Sequence, residues 1–145
     1  MTTILAKRTM SDWNKGIIEE FRNNHGKVGG MFAGSPILLI NHKGARSGKH
    51  RTNPVMYLKD GNRFIVFASK GGADTNPDWF HNLKAHPDVK IEVGSETIDV
   101  HAQEITGAER DKIYAKQSSL YPQFGQYQKK TKRVIPIVAF TPKTK

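Results

Sequence analysis

The chain has 145 residues, 37% of them hydrophobic, and a formal net charge of +10. That length suits one domain with one modest core, and no apolar run approaches the roughly 18 residues that a membrane span requires. The lack of cysteine excludes disulfides, thiolate catalysis and thiolate-bound metal, and the charge calls for an acidic partner: nucleic acid, an anionic membrane or a polyanionic small molecule.

Residues 1–10 show no clear period and read as a flexible leader, with Met10 available as a second start; residues 11–145 read as a single domain. Ile4-Leu5-Ala6 is too short for the apolar core of a signal peptide, so a cytoplasmic location is expected. Ser11 suits a helix N-cap, and Trp13, Ile17, Ile18 and Phe21 then fall on one face of a helix reaching about Asn24. That face either docks on the core or touches a membrane surface. Gly26, Gly29, Gly30 and Gly34 break the chain into a loop. Strands are expected at Ile37 to Asn41, Thr52 to Lys59 and Arg63 to Ser69, with Asp60-Gly61 as a two-residue hairpin turn. Lys70 to Ala73 reads as a tight loop, and Asn76-Pro77 opens a short helix through Lys84. Val89 to Val93 and Glu96 to Gln103 alternate around Gly94-Ser95 as a second hairpin. Thr106 reads as the N-cap of a helix through about Ser118, with Glu109 in capping-box position. A further helical turn covers Tyr121 to Tyr127, and Pro136 to Phe140 makes the last strand. Six short strands, mostly hairpin-linked, and three or four helices predict an α+β fold: a small, mostly antiparallel barrel with flanking helices.

The most informative stretch is Gly44-Ala45-Arg46-Ser47-Gly48-Lys49-His50-Arg51-Thr52-Asn53-Pro54. A hairpin loop needs one glycine and a polar residue, whereas this one holds two glycines and three cations. Glycines let backbone N–H groups face a ligand, and Arg and Lys form charge-assisted bonds to phosphate or carboxylate oxygens. The competing reading is a solvated hairpin tip. The spacing is not that of a Walker A loop, because three residues, not four, separate Gly44 from Gly48 and His50 follows Lys49. No nucleotide-fold glycine fingerprint or nucleophile elbow is present, and the six histidines form no metal-ligand pair.

Three segments together point to a family. The Gly44 to Pro54 stretch resembles the cofactor loop of the deazaflavin-dependent nitroreductases. Asn76-Pro77-Asp78-Trp79-Phe80-His81-Asn82-Leu83 resembles that family's N-P-x-W-x-x-N-L signature, and Tyr121-Pro122-Gln123-Phe124-Gly125-Gln126-Tyr127-Gln128 its third region. The resemblance covers nearly all of the chain after Met10. It implies a split β-barrel that binds coenzyme F-420, a deazaflavin with a phosphate and an oligoglutamate tail, and passes a hydride to quinones, nitro compounds or unsaturated lactones.

By that resemblance Arg46, Ser47, Gly48, Lys49 and Arg51 hold the phosphate and tail, and Thr52, Asn53, Pro54, Val55 and Met56 run beside the ring. Ser69, Lys70, Gly71 and Gly72 form a second cofactor contact, and Asn76, Trp79 and Asn82 mix cofactor and structural roles. Tyr121, Phe124 and Tyr127 line the acceptor pocket; the family often carries three tyrosines there, and Phe124 removes one hydroxyl. The proton that follows the hydride is expected from Tyr127, Tyr121, Ser69 or water. The competing assignments are a split-barrel reductase that binds flavin mononucleotide and, in another class, a basic nucleic-acid-binding barrel. A small-molecule acceptor is the expected partner, no metal and no nucleic acid are expected, and monomer and homodimer both remain open.

Overall fold

The computed structural model describes residues 10–29 and 34–143, the first four by backbone alone. The leader 1–9, Gly30 and the side chain of Trp13 therefore lie outside the described residues. The elements are α1 (Met10–Asn23), β1 (Ile37–Lys43), β2 (His50–Asp60), β3 (Arg63–Phe67), a 3-10 turn (Lys70–Gly72), α2 (Asp78–Ala85), β4 (Asp88–Val93), β5 (Glu96–Ile105), α3 (Gly107–Leu120), α4 (Gln123–Lys129) and β6 (Ile137–Pro142). The six strands close an antiparallel barrel in the order β1-β2-β3-β6-β5-β4, with β1 pairing back on β4 through Ile40 and Ile91.

The period of two along each strand explains where the core sits. Leu38 and Ile40 of β1, Phe64 and Val66 of β3, and Val138 and Phe140 of β6 point into the barrel, where Trp79, Phe80 and Leu83 of α2 plug it. The alternate residues point out and are covered as well. Ile65, Phe67, Ile137 and Ala139 pack under Tyr114 of α3 and Phe124 of α4. Ile37 and Leu39 pack under Phe21, Ile17 and Ile18 of α1. Strands covered on both faces read as continuous apolar runs, and here these are ILLI, FIVF and IVAF. Ile40, Ile65 and Phe140 are fully buried, and each such side chain contributes about 1.5–3 kcal/mol of burial free energy.

Two local expectations are corrected. Thr106 occupies the N-cap of α3, but no side-chain cap forms; Glu109 accepts a hydrogen bond from Arg63 at 3.1 Å instead of closing a capping box. Asn76 does not open α2 together with Pro77, since Pro77 is the N-cap and the helix begins at Asp78. Ile17, Ile18 and Phe21 of α1 pack on the barrel, as the docking reading of that face expects. Among the described residues no helix is long and apolar enough to cross a membrane.

Candidate active site

The barrel is incomplete at one place. β3 pairs with β2 only over Tyr57–Asp60, while the whole of β1 pairs with the other part of β2, from His50 to Met56. In an antiparallel ladder alternate residues address opposite neighbours. The Tyr57 N–H bonds Pro36 O on the β1 side at 3.0 Å, so Asn53 and Val55 also address β1. Thr52 and Pro54 therefore turn their backbone groups toward the edge beyond the end of β3, while Met56 stands opposite Phe67, the last residue of β3. Pro54 has no N–H to offer a neighbour and is tolerated because this edge is unpaired.

The side chains along this strip serve the fold. Thr52 donates to Asn41 Oδ1 at 2.7 Å, Asn53 Oδ1 lies 2.8 Å from His42 Nε2, Val55 packs on the barrel interior and Met56 on the outer clusters. What the strip presents at the open edge is backbone.

The basic loop stands at one end of the strip. It is closed by Gly44 N–H to Lys49 O at 2.9 Å and Gly48 N–H to Gly44 O at 3.0 Å. Gly48 has φ of 71°, a left-handed conformation that favours glycine. Ser47 Oγ accepts from Lys49 N–H at 3.2 Å. Arg46, Lys49 and Arg51 are exposed, and among the described residues none of them forms an ion pair. Uncompensated cations on a closed loop beside free backbone suit a ligand with an acidic tail.

Helix α2 anchors that loop from below. Asn82 is 6% exposed; its Oδ1 accepts from Ala45 N–H at 2.8 Å and its Nδ2 reaches His42 Nδ1 at 3.1 Å. With Asn82 Nδ2 as donor, His42 Nδ1 must accept, which leaves Nε2–H to donate to Asn53. This is the neutral tautomer with every polar atom matched. Burial holds the His42 pKa below its ordinary value, the Asn53 bond raises it, nearby Arg51 lowers it and Asp78 raises it.

The 3-10 turn forms the other wall. Lys70, Gly71 and Gly72 all have positive φ, at 47°, 64° and 87°. A Cβ on Gly72 would meet Tyr127 O at 2.9 Å, so this turn packs directly on the backbone of α4. Ser69 is buried, whereas Lys70 and Gly71 are exposed. Lys70 Nζ donates to Thr75 Oγ1 at 3.1 Å.

Tyr127 of α4 and Tyr121, the C-cap of α3, are half-buried, and neither hydroxyl has a hydrogen-bond partner among the described residues. Tyr114 differs: its hydroxyl donates to Phe124 O at 2.6 Å, and burial pushes its pKa up to about 12. Phe124 is 5% exposed and packs edge-to-face on Phe67 at 5.4 Å and Tyr127 at 5.3 Å. It packs between Phe67 and Tyr127 and so supports the tyrosine from the core side. Trp79 is likewise core.

A model of the family described as "F420H(2)-dependent quinone reductase" matches residues 13–142. The chain belongs to that family. An F420H(2)-dependent quinone reductase of Mycobacterium tuberculosis is 35% identical over 127 residues, covering 83% of this chain and 84% of the relative. A solved F420-H2 dependent reductase is 37% identical with a TM-score of 0.66, covering 72% of this chain and 93% of that one. A solved domain-swapped dimer is 33% identical with a TM-score of 0.68, covering 91% and 99%. The chain is thus a deazaflavin-dependent oxidoreductase of the split-barrel type, with coenzyme F-420 as its cofactor. The nucleic-acid reading fails on its own terms: the strand aromatics Phe64, Phe67 and Phe140 are buried in the core, not displayed between cations.

Two residues of this chain escaped the sequence reading. His42 follows Leu38 and Ile40 at steps of two, so its inward direction was available from strand parity. Arg133, which stands in sequence among the cations Lys129, Lys130 and Lys132, turns inward to the 3-10 turn.

Proposed function

We propose that this chain reduces quinones, holding coenzyme F-420 along the open edge of β2 with its acidic tail on Arg46, Ser47, Gly48, Lys49 and Arg51. The observation that carries this reading is the free backbone edge at Thr52 and Pro54, which continues into the loop of uncompensated cations. When bound in reduced form, the coenzyme supplies a hydride. The protein's part is to place an electron-poor ring at roughly 3–3.5 Å from it. Ser69, Lys70, Gly71 and Gly72 close one side of the coenzyme, where glycine admits near approach. Asn82 and Trp79 act from the core, Asn82 by fixing Ala45. Asn76 acts through Arg133.

Tyr121 and Tyr127 form the acceptor wall, with Phe124 as the support of Tyr127. Reduction of a quinone to a quinol takes one hydride and one proton. The free hydroxyl of Tyr127 is the proton donor of this scheme, with Tyr121 and Ser69 as the neighbouring hydroxyls. The test is turnover of the reduced coenzyme with a naphthoquinone, a nitroaromatic and an unsaturated lactone at equal concentration. Fastest turnover on the quinone supports the reading, whereas turnover confined to the nitroaromatic or the lactone contradicts it.

A further inference from the structure

Arg133 lies between α4 and β6, in a run of cations whose lysines are exposed. Its own guanidinium is committed. Nε donates to Ala73 O at 2.8 Å, Nη1 to Asn76 Oδ1 at 2.7 Å and to Ala68 O at 3.3 Å, and Nη2 to Ser69 O at 2.9 Å. These four acceptors bracket the 3-10 turn from its first residue to the approach of α2. The backbone carbonyl of Arg133 is itself held, accepting from Gln128 Nε2 at 2.7 Å. Gln128 Oε1 accepts from Ile135 N–H at 3.0 Å and from buried Arg110 at 2.7 Å. Arg133 therefore joins the 3-10 turn that follows β3 to α4, the helix that carries Tyr127.

We propose that Arg133 is a positioning residue for hydride transfer: it clamps the Ser69–Ala73 turn at a fixed height against α4 and so sets where the coenzyme ring meets the acceptor wall. The proposal rests on the placement of the coenzyme at that turn. The turn needs such a clamp because three successive residues hold positive φ, and one of them, Lys70, has a side chain that disfavours it. A guanidinium suits the task for its planar fork, which reaches several carbonyls at once; an ammonium is a point charge on a flexible stem. Charge at position 133 alone is thus insufficient.

The experiment compares wild type with Arg133→Lys and Arg133→Ala. The readouts are coenzyme affinity by fluorescence titration, kcat with a naphthoquinone, and amide hydrogen exchange across the chain. The expected result is coenzyme affinity weakened about tenfold in both variants, since a lost charge-assisted bond is of that size. Faster exchange should be confined to 68–76, and added guanidinium should restore affinity to Arg133→Ala. If Arg133→Ala does not fold, Arg133→Lys with Asn76→Ala carries the same comparison. Wild-type exchange at 68–76 in Arg133→Lys would overturn the clamp. Affinity unchanged in a Lys70→Ala control would instead overturn the coenzyme's placement at the turn, and the functional half of the proposal with it.

Discussion

Asn82 Oδ1 accepts a hydrogen bond from Ala45 N–H at 2.8 Å, so a buried side chain of α2 holds the entrance of the basic loop 37 residues earlier. Removing it in Asn82→Ala strands buried His42 Nδ1 and releases the Ala45 N–H, which lies on an exposed residue. An unpartnered buried group costs about 1–3 kcal/mol, and the expected outcome is a lower Tm together with weaker coenzyme binding. Thermal melts with and without coenzyme check both. A variant that melts lower but binds as tightly would separate the helix from the loop.

His42 gives the same network a pH dependence. Burial holds its pKa below the ordinary 6.5 in the folded chain. Protonation therefore favours the unfolded state. The His42 contribution is intact above about pH 6.5 and declines as pH falls from there through the folded value. Asp88 and Glu92, both held low by hydrogen bonds, stabilise the fold above their ordinary values of 3.8 and 4.5 and lose that contribution only as pH falls below them. Denaturant melts between pH 7 and 5 should show the decline in wild type and lose most of it in His42→Gln. An identical slope in both proteins would assign the decline to another group.

Arg46 and Arg51 have no acidic partner among the described residues, so their charge is free for the coenzyme tail. Replacing both by Ala should weaken coenzyme binding about ten- to a hundredfold at low salt and flatten its salt dependence. Titrations from low to high ionic strength read this out. Equal slopes for wild type and variant would remove the loop from the tail site.

Tyr127→Phe keeps the ring that packs on Phe124 and deletes the hydroxyl. Turnover should fall while coenzyme affinity stays within about twofold of wild type. Loss of affinity with unchanged kcat would move Tyr127 to the cofactor side of the site.

Gln117 is fully buried on α3, and neither end of its amide finds a protein partner. Gln117→Leu removes two unmet polar atoms at similar volume and should raise stability by about 1–3 kcal/mol. A fall in Tm of that size would show that the amide is solvated from inside.

Much of this architecture is legible in the chain because its signals are local. Asp60-Gly61 and Gly94-Ser95 mark hairpins that form with the expected pairing of Asp60 with Arg63 and Val93 with Glu96. Pro54 in a strand reads as an edge, and that edge is where the barrel opens. The misses all involve partners distant in sequence. Glu109 has a local cap available but bonds Arg63, 46 residues away. Asn76 has a cap position available but receives Arg133, 57 residues away. Phe124 and Trp79 fit a pocket or a core equally well by spacing, and only the packing of Phe67 and of the barrel interior decides for the core.

The most direct measurement is a fluorescence titration of the purified protein with coenzyme F-420 beside flavin mononucleotide, repeated across salt concentrations. The account predicts tight, salt-sensitive binding of the deazaflavin and weak binding of flavin mononucleotide, which has a phosphate but no acidic tail. Preference for flavin mononucleotide, or deazaflavin affinity indifferent to salt, would contradict the site built on Arg46, Lys49 and Arg51.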